Sequence, residues 1–187
     1  MRRFLIGLLF AAACCGGAQR PPAPEPVKDD PRAVLIHHWC ADKEYLGTGY
    51  IMDGESIATA AHVVTCDGES VGKTVVDVAE MHVTPDEIVA LPDLDIAAIR
   101  FDNDYPPVEL GTVEPGDQVC YFPAFPTRGQ KCGVVFAVEA GEGGLMTFPI
   151  AEHGNSGSVL FNDKGQAVGI LQGIDRFFTY SFSFQGM

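Results

Sequence analysis

The sequence predicts an all-β protein, and three observations support this class. Short segments of alternating apolar and polar residues recur along the 187 residues, a period of two that is typical of half-buried strands. No stretch keeps the 3.6-residue period of an amphipathic helix. Thirteen prolines and 21 glycines are spread along the chain between these segments, as in the turns of a sandwich or barrel.

Eleven strands are predicted in order along the chain. They cover residues 33–39, 47–52, 56–59, 74–78, 96–101, 118–122, 133–138, 145–148, 158–161, 167–171 and 177–184. Residues 102–111 interrupt the pattern, because Pro106 and Pro107 cannot lie in a central strand. We therefore expect two similar halves joined by a crossing segment.

Residues 1–15 are predicted to be an export signal. Arg2 and Arg3 precede an apolar run at 4–13, which is too short to span a membrane as a helix. The stretch FAAACCGG resembles the bacterial lipoprotein signal, in which a cysteine after small residues is lipidated. Cys14 is the predicted lipid acceptor, and plain secretion is the alternative.

Residues 16–32 are Pro-rich and polar, which predicts an extended tether before a domain at 33–187. The formal net charge is −13, and removal of the signal would make the chain more acidic. Nucleic acid is therefore not an expected partner. We expect a periplasmic or extracellular protein, with membrane contact only through a lipid on Cys14. No oligomeric state follows from the sequence.

Four cysteines lie beyond the signal: Cys40, Cys66, Cys120 and Cys132. An even number in an exported chain favours disulfides, and three pairings are open. Two consecutive barrels would favour the local pairing, Cys40–Cys66 with Cys120–Cys132. The HHWC segment at 37–40 does not indicate a metal site, because adjacent strand residues point to opposite faces. We expect no metal and no cofactor.

A serine between two glycines precedes a predicted strand in EHGNSGSVLFN. Ser156 needs a base to become a nucleophile, and the base needs a group that orients it. His62, at the end of a strand in TAAHVV, and Asp95, at the head of one in DLDIAAIRF, supply both. Gly154 can adopt backbone angles that aim its N–H at developing negative charge.

These residues resemble the trypsin-like (chymotrypsin-fold) serine proteases, and most closely their small bacterial HtrA-type branch. The resemblance rests on GTGYIMDGESIATAAHVV, LDIAAIRF, PPVELGTVEPGDQV and GNSGSVLFNDKGQAVGI, which follow the family's order over most of 47–173. It implies two packed six-stranded antiparallel β-barrels, at about 33–105 and 112–184, with the active site between them. It also implies an exported serine endopeptidase that acts on proteins or peptides.

Carried over residue by residue, the resemblance makes Ser156 the nucleophile, His62 the general base and Asp95 the residue that orients His62. The N–H groups of Gly154 and Ser156 would form the oxyanion hole.

The chain departs from the family at two positions beside the serine. Ser158 stands where a second glycine is usual, and Asn155 stands where digestive relatives have an aspartate. We therefore do not expect activation by cleavage at the start of the domain.

We also expect no PDZ domain, since the chain ends at Met187.

The pocket for the residue before the cut is expected to include Ile150, Glu152, Gln172, Tyr180 and Phe182. Relatives that cleave after Lys or Arg carry an aspartate where this chain has Ile150. Tyr180 and Phe182 replace glycines that are common in relatives, so the pocket should be shallow and favour Ala, Val or Leu. Basic residues would be accepted if the Glu152 carboxylate turned into the pocket.

Two other functions fit the same residues. The first is a binding or scaffold protein without turnover, which would predict the loss of a triad member. The second is an esterase or acyltransferase, whose serine usually lies between a strand and a helix, whereas residues 158–161 are predicted to be a strand.

Overall fold

A computed structural model of the chain describes residues 30–67, 72–79, 81–125, 129–139, 143–148, 151–175 and 178–185. The predicted export signal with Cys14, most of the predicted tether, and Ile150 lie outside the described residues. Within the described ranges, no helix is long and apolar enough to cross a membrane.

The N-terminal half is one antiparallel sheet of seven strands in the order β5-β4-β1-β2-β3-β7-β6. The strands are β1 (Ala33–Cys40), β2 (Lys43–Ile51), β3 (Ser56–Thr59), β4 (Lys73–Val78), β5 (Met81–Val83), β6 (Ile88–Leu91) and β7 (Ile96–Arg100). A short helix, α1 (Ala61–Val64), follows β3, and a 3-10 turn (Pro92–Leu94) precedes β7. Strand β1 buries Val34, Ile36 and His38, every second residue, as a half-buried strand should.

The C-terminal half is a closed antiparallel barrel of six strands in the order β10-β13-β12-β11-β8-β9. The strands are β8 (Gln118–Tyr121), β9 (Lys131–Glu139), β10 (Gly144–Phe148), β11 (Val159–Phe161), β12 (Ala167–Ile174) and β13 (Thr179–Ser183). Closure pairs each strand on both sides, so the barrel has no free edge.

The protein has two apolar cores, and β11 contributes to both. Val159 and Phe161 belong to the larger core, which also contains Ile57 and Ile99 of the N-terminal sheet. Leu160, between them, faces the smaller core inside the C-terminal barrel. The strand that follows Ser156 is therefore fixed between the two halves.

The local disulfide pairing is confirmed: Cys40 bonds to Cys66, and Cys120 bonds to Cys132. Cys120 and Cys132 lie directly opposite each other on β8 and β9, with Cα atoms 4.0 Å apart. Cys40, at the end of β1, joins the segment just after α1. His38 Nε2 lies 3.2 Å from Cys66 Sγ, but both sulfurs of that pair are committed to the disulfide.

The all-β prediction is confirmed, and each of the eleven predicted strands is present. The structure adds β5 and β6, which lie at the two edges of the N-terminal sheet. The N-terminal unit is therefore a sheet of seven strands instead of the expected six, and it is a curled half-barrel instead of a closed barrel. Strand β5 has only three residues, and β6, with the sequence IVAL, is apolar at every position. Neither segment carries the alternation from which the other strands were predicted.

Candidate active site

His62 lies in α1, immediately after β3 ends. The residues before it, Ala60 and Ala61, are fully buried, so their small side chains let the chain turn against the core. The His62 side chain itself is about half exposed, at 48%. The sequence thus brings an accessible imidazole to the edge of the N-terminal sheet.

Asp95 ends the 3-10 turn in the left-handed conformation, with φ 49° and ψ 45°, which Asp tolerates better than most residues. Its Oδ2 lies 2.8 Å from His62 Nδ1, and its Oδ1 accepts a hydrogen bond from the His62 backbone N–H at 2.9 Å. Because a carboxylate only accepts, the proton of a neutral ring lies on Nδ1. Nε2 is then left with a lone pair that can accept a proton.

The turn that carries Ser156 is packed directly onto the N-terminal sheet. Gly154 and Gly157 both have positive φ, at 91° and 88°. A Cβ at Gly157 would collide with the Thr48 carbonyl oxygen and the Thr59 hydroxyl, so only glycine fits there. The Ser156 carbonyl accepts from the Thr48 N–H at 2.8 Å, which fixes the serine turn against β2.

Asn155 holds the same turn from inside the protein. It is fully buried, and its Oδ1 accepts from the Glu152 N–H at 3.0 Å and the Tyr121 hydroxyl at 3.3 Å. Its Nδ2 donates to the Phe125 carbonyl at 2.6 Å. Burial, with a smaller effect of Glu152, raises the pKa of Tyr121 to about 12, so this hydroxyl keeps its proton. The sequence identifies Asn155 only as a departure from relatives and carries no local signal for this anchoring role.

The main-chain N–H groups around Ser156 fall into two sets. Those of Asn155, Gly157 and Ser158 donate to carbonyls of Glu152, Leu171 and Asn155, respectively. Those of Gly154 and Ser156 donate to no acceptor among the described residues. The sequence predicts these same two N–H groups as the oxyanion hole.

The Ser156 hydroxyl donates to the Gln172 carbonyl at 3.3 Å. In the part of the chain that the structure describes, no hydrogen bond joins it to the His62 ring. Catalytic hydrogen bonds are often incomplete in enzymes without substrate and tighten when substrate binds.

Of the residues expected to line the substrate pocket, Glu152, Tyr180 and Gln172 make hydrogen bonds within the protein. The Glu152 carboxylate accepts from Lys131 Nζ at 2.8 Å, and the Tyr180 hydroxyl donates to Asp175 at 2.8 Å. Phe182 is buried, with 8% of its surface exposed. The Gln172 side chain reaches the turn that carries Asp95, where it donates to two backbone carbonyls.

The family model of the trypsin-like peptidase domain matches residues 47–170, a range that contains His62, Asp95 and Ser156. No curated protein sequence matches this chain.

Similar solved structures include a protease of M. tuberculosis in its active form, with a TM-score of 0.70 and 17% identity over 83% of this chain and 77% of that one. The inactive form of that protease has a TM-score of 0.65 and 17% identity over 82% of this chain and 84% of that one. A serine endoprotease of Yersinia pestis has a TM-score of 0.68 and 21% identity over 83% of this chain. This chain spans only 60% of the Yersinia protein. At these identities the matches show a shared fold.

Proposed function

We propose that this chain, which belongs to the trypsin-like peptidase family, is a serine-type endopeptidase with Ser156, His62 and Asp95 as its catalytic triad. The observation that carries the proposal is the double contact of the Asp95 carboxylate with the His62 ring and backbone. Ser156 supports it, because two glycines in unusual conformations flank the serine in a turn packed against the sheet that holds His62.

In the proposed mechanism, Ser156 Oγ attacks the carbonyl carbon of the scissile peptide and passes its proton to His62 Nε2. Asp95 stabilises the imidazolium that forms. The N–H groups of Gly154 and Ser156 bind the negatively charged oxygen of the tetrahedral intermediate. When that intermediate collapses, the leaving amine takes the proton from His62 and an acyl-enzyme remains. Water then attacks the ester by the same steps, which frees the acid and restores Ser156.

We also propose that the protein is exported and cleaves proteins or peptides outside the cytoplasm. Two disulfides support this location, because disulfides persist in oxidising compartments. The apolar N-terminal run after Arg2 and Arg3 fits the same route, with Cys14 as the proposed site of lipid attachment. The peptidase domain would then follow the tether from about residue 33.

A serine-reactive fluorophosphonate probe and a fluorescent casein substrate test the triad on the full chain. The wild type should be labelled and should cleave casein, while Ser156→Ala should lose labelling and about 10⁶ in kcat. Ser158→Ala is the matched control and should behave as the wild type. Casein cleavage that survives in Ser156→Ala would refute the proposal.

The non-catalytic scaffold remains the second candidate, because the Ser156 hydroxyl is bonded to the Gln172 carbonyl instead of to His62. A wild type that neither reacts with the probe nor cleaves casein would favour it. Labelling at Ser156 without peptide cleavage would favour an esterase or acyltransferase.

A further inference from the structure

Gln172 contacts both Ser156 and the turn that carries Asp95. Its side-chain amide donates to the Leu94 carbonyl and, at 3.1 Å, to the Asp95 carbonyl. Its own main-chain carbonyl accepts from Ser156 Oγ at 3.3 Å. We infer that Gln172 is a positioning residue that sets the separation between the nucleophile and the Asp95–His62 pair. This inference rests on the triad proposed above.

Burial does little to hold the Asp95 turn in place, so the position of the turn depends on its hydrogen bonds. The 3-10 turn at Pro92–Leu94 contains no buried residue, and Leu94 is 44% exposed. The Asp95 N–H donates within the turn, to the Pro92 carbonyl at 3.0 Å. A segment with few buried contacts opens at low free-energy cost. The amide of Gln172 ties this exposed turn to the barrel.

The strand that carries Gln172 is, in contrast, firmly held. Leu171, the preceding residue, is fully buried in the barrel core. Its carbonyl accepts from the Gly157 N–H at 2.7 Å, and its N–H donates to the Ser158 carbonyl at 2.9 Å. Leu171 therefore fixes the serine turn by its main chain, while Gln172 fixes the aspartate turn by its side chain.

A shift of the aspartate turn would be passed on to the general base. Asp95 bonds both the ring and the backbone of His62, so the two residues should move together. Misplacement of reacting groups by about 1 Å can cost on the order of 10²-fold in rate. Loss of the Gln172 amide should therefore lower kcat and leave substrate binding nearly intact.

This role differs from the pocket role that the sequence predicted for Gln172. A pocket residue would change KM and the preference for the residue before the cut. A residue that is only structural would lower the melting temperature and leave kcat per folded molecule unchanged. A positioning residue lowers kcat at unchanged preference.

The test uses two variants of the full chain. Gln172→Met keeps the side-chain length but removes both N–H donors of the amide. Gln172→Glu places a carboxylate against the Leu94 and Asp95 carbonyls. Gln118→Met, at an exposed glutamine on β8, is the matched control. Both Gln172 variants should lose about 10- to 100-fold in kcat, with KM within about threefold of wild type and an unchanged order of preferred residues. The His62 Nδ1 proton resonance should shift in both variants and stay in place in Gln118→Met.

Rates are taken per folded molecule, with folding measured by circular dichroism; if Gln172→Met does not fold, Gln172→Glu decides the question. Wild-type kcat in the folded variant, or a changed preference with kcat retained, would overturn the inference while Ser156-dependent hydrolysis stands. A wild type without Ser156-dependent hydrolysis would instead overturn the triad itself.

Discussion

Asp95 accepts two hydrogen bonds from His62, one from the ring and one from the main chain. Oδ2 lies 2.8 Å from Nδ1, and Oδ1 lies 2.9 Å from the backbone nitrogen. The two residues are 33 positions apart in the sequence. One carboxylate therefore orients the imidazole and also fixes the start of α1 against the turn before β7.

Asp95→Asn should lower kcat by about 10⁴ under the proposed mechanism, because an amide can favour the wrong tautomer of His62. The exposed Asp93 on the same turn is the control, and Asp93→Asn should keep nearly full activity. Steady-state kinetics on one peptide substrate would measure both. If Asp93→Asn were the damaging change, the aspartate would be misassigned.

Ser158→Ala should leave stability unchanged or raise it by up to about 1 kcal/mol. The Ser158 Oγ is buried and has no hydrogen-bond partner among the described residues. An unpaired buried hydroxyl costs desolvation energy, which alanine avoids. Urea unfolding of the variant and the wild type would measure the difference. A loss of more than 1 kcal/mol would mean that the hydroxyl has a partner in solution.

Removing the Cys120–Cys132 disulfide should cost about 3 kcal/mol of unfolding free energy in the chain-entropy model, because the bond closes a short loop in the unfolded chain. The double variant Cys120→Ala/Cys132→Ala tests this by chemical denaturation. Peptide mapping of the non-reduced wild type serves as the control and should recover the cross-linked pair. Free thiols at both positions would contradict the pairing.

The sequence predicted the parts of the molecule that depend on local pattern. Strands such as β13, TYSFS, alternate between polar and aromatic residues, and Ser156 with its flanking glycines is a compact local signal. Strands β5 and β6 lack alternation and were missed. The roles of Asn155 and Gln172 were missed because their partners are distant: Gln172 reaches the Leu94 carbonyl 78 positions away, and Asn155 reaches the Phe125 carbonyl 30 positions away. The Asn155 contact forms only when the C-terminal barrel closes, and the Gln172 contact forms only when the two halves pack.

His38 should make the protein less stable in mild acid. Its side chain is buried between Thr74 and Cys66, and burial lowers its pKa below the ordinary value. Below about pH 6.5 the unfolded chain binds a proton on His38 more readily than the folded chain does. The free energy of unfolding should therefore keep its full value above about pH 6.5 and decrease as the pH drops below it. Urea unfolding at pH 8 and pH 5 should show a smaller loss in His38→Gln than in the wild type.

The matched control for this measurement is His153→Gln, at an exposed histidine. It should keep the wild-type loss of stability between the two pH values. An equal loss in His38→Gln and the wild type would show that other groups cause the acid sensitivity.

The protease should cleave poorly after Lys or Arg and prefer Ala, Val or Leu before the cut. The Glu152 carboxylate is paired with Lys131 Nζ at 2.8 Å, so a substrate cation would have to compete with that lysine for it. The measurement is kcat/KM on peptides that differ only at that residue. Arg should not exceed Val by more than tenfold, about 1.4 kcal/mol in transition-state binding. Glu152→Gln should leave the Arg-to-Val ratio unchanged, whereas a strong Arg preference that disappears in this variant would place the Glu152 carboxylate in the pocket.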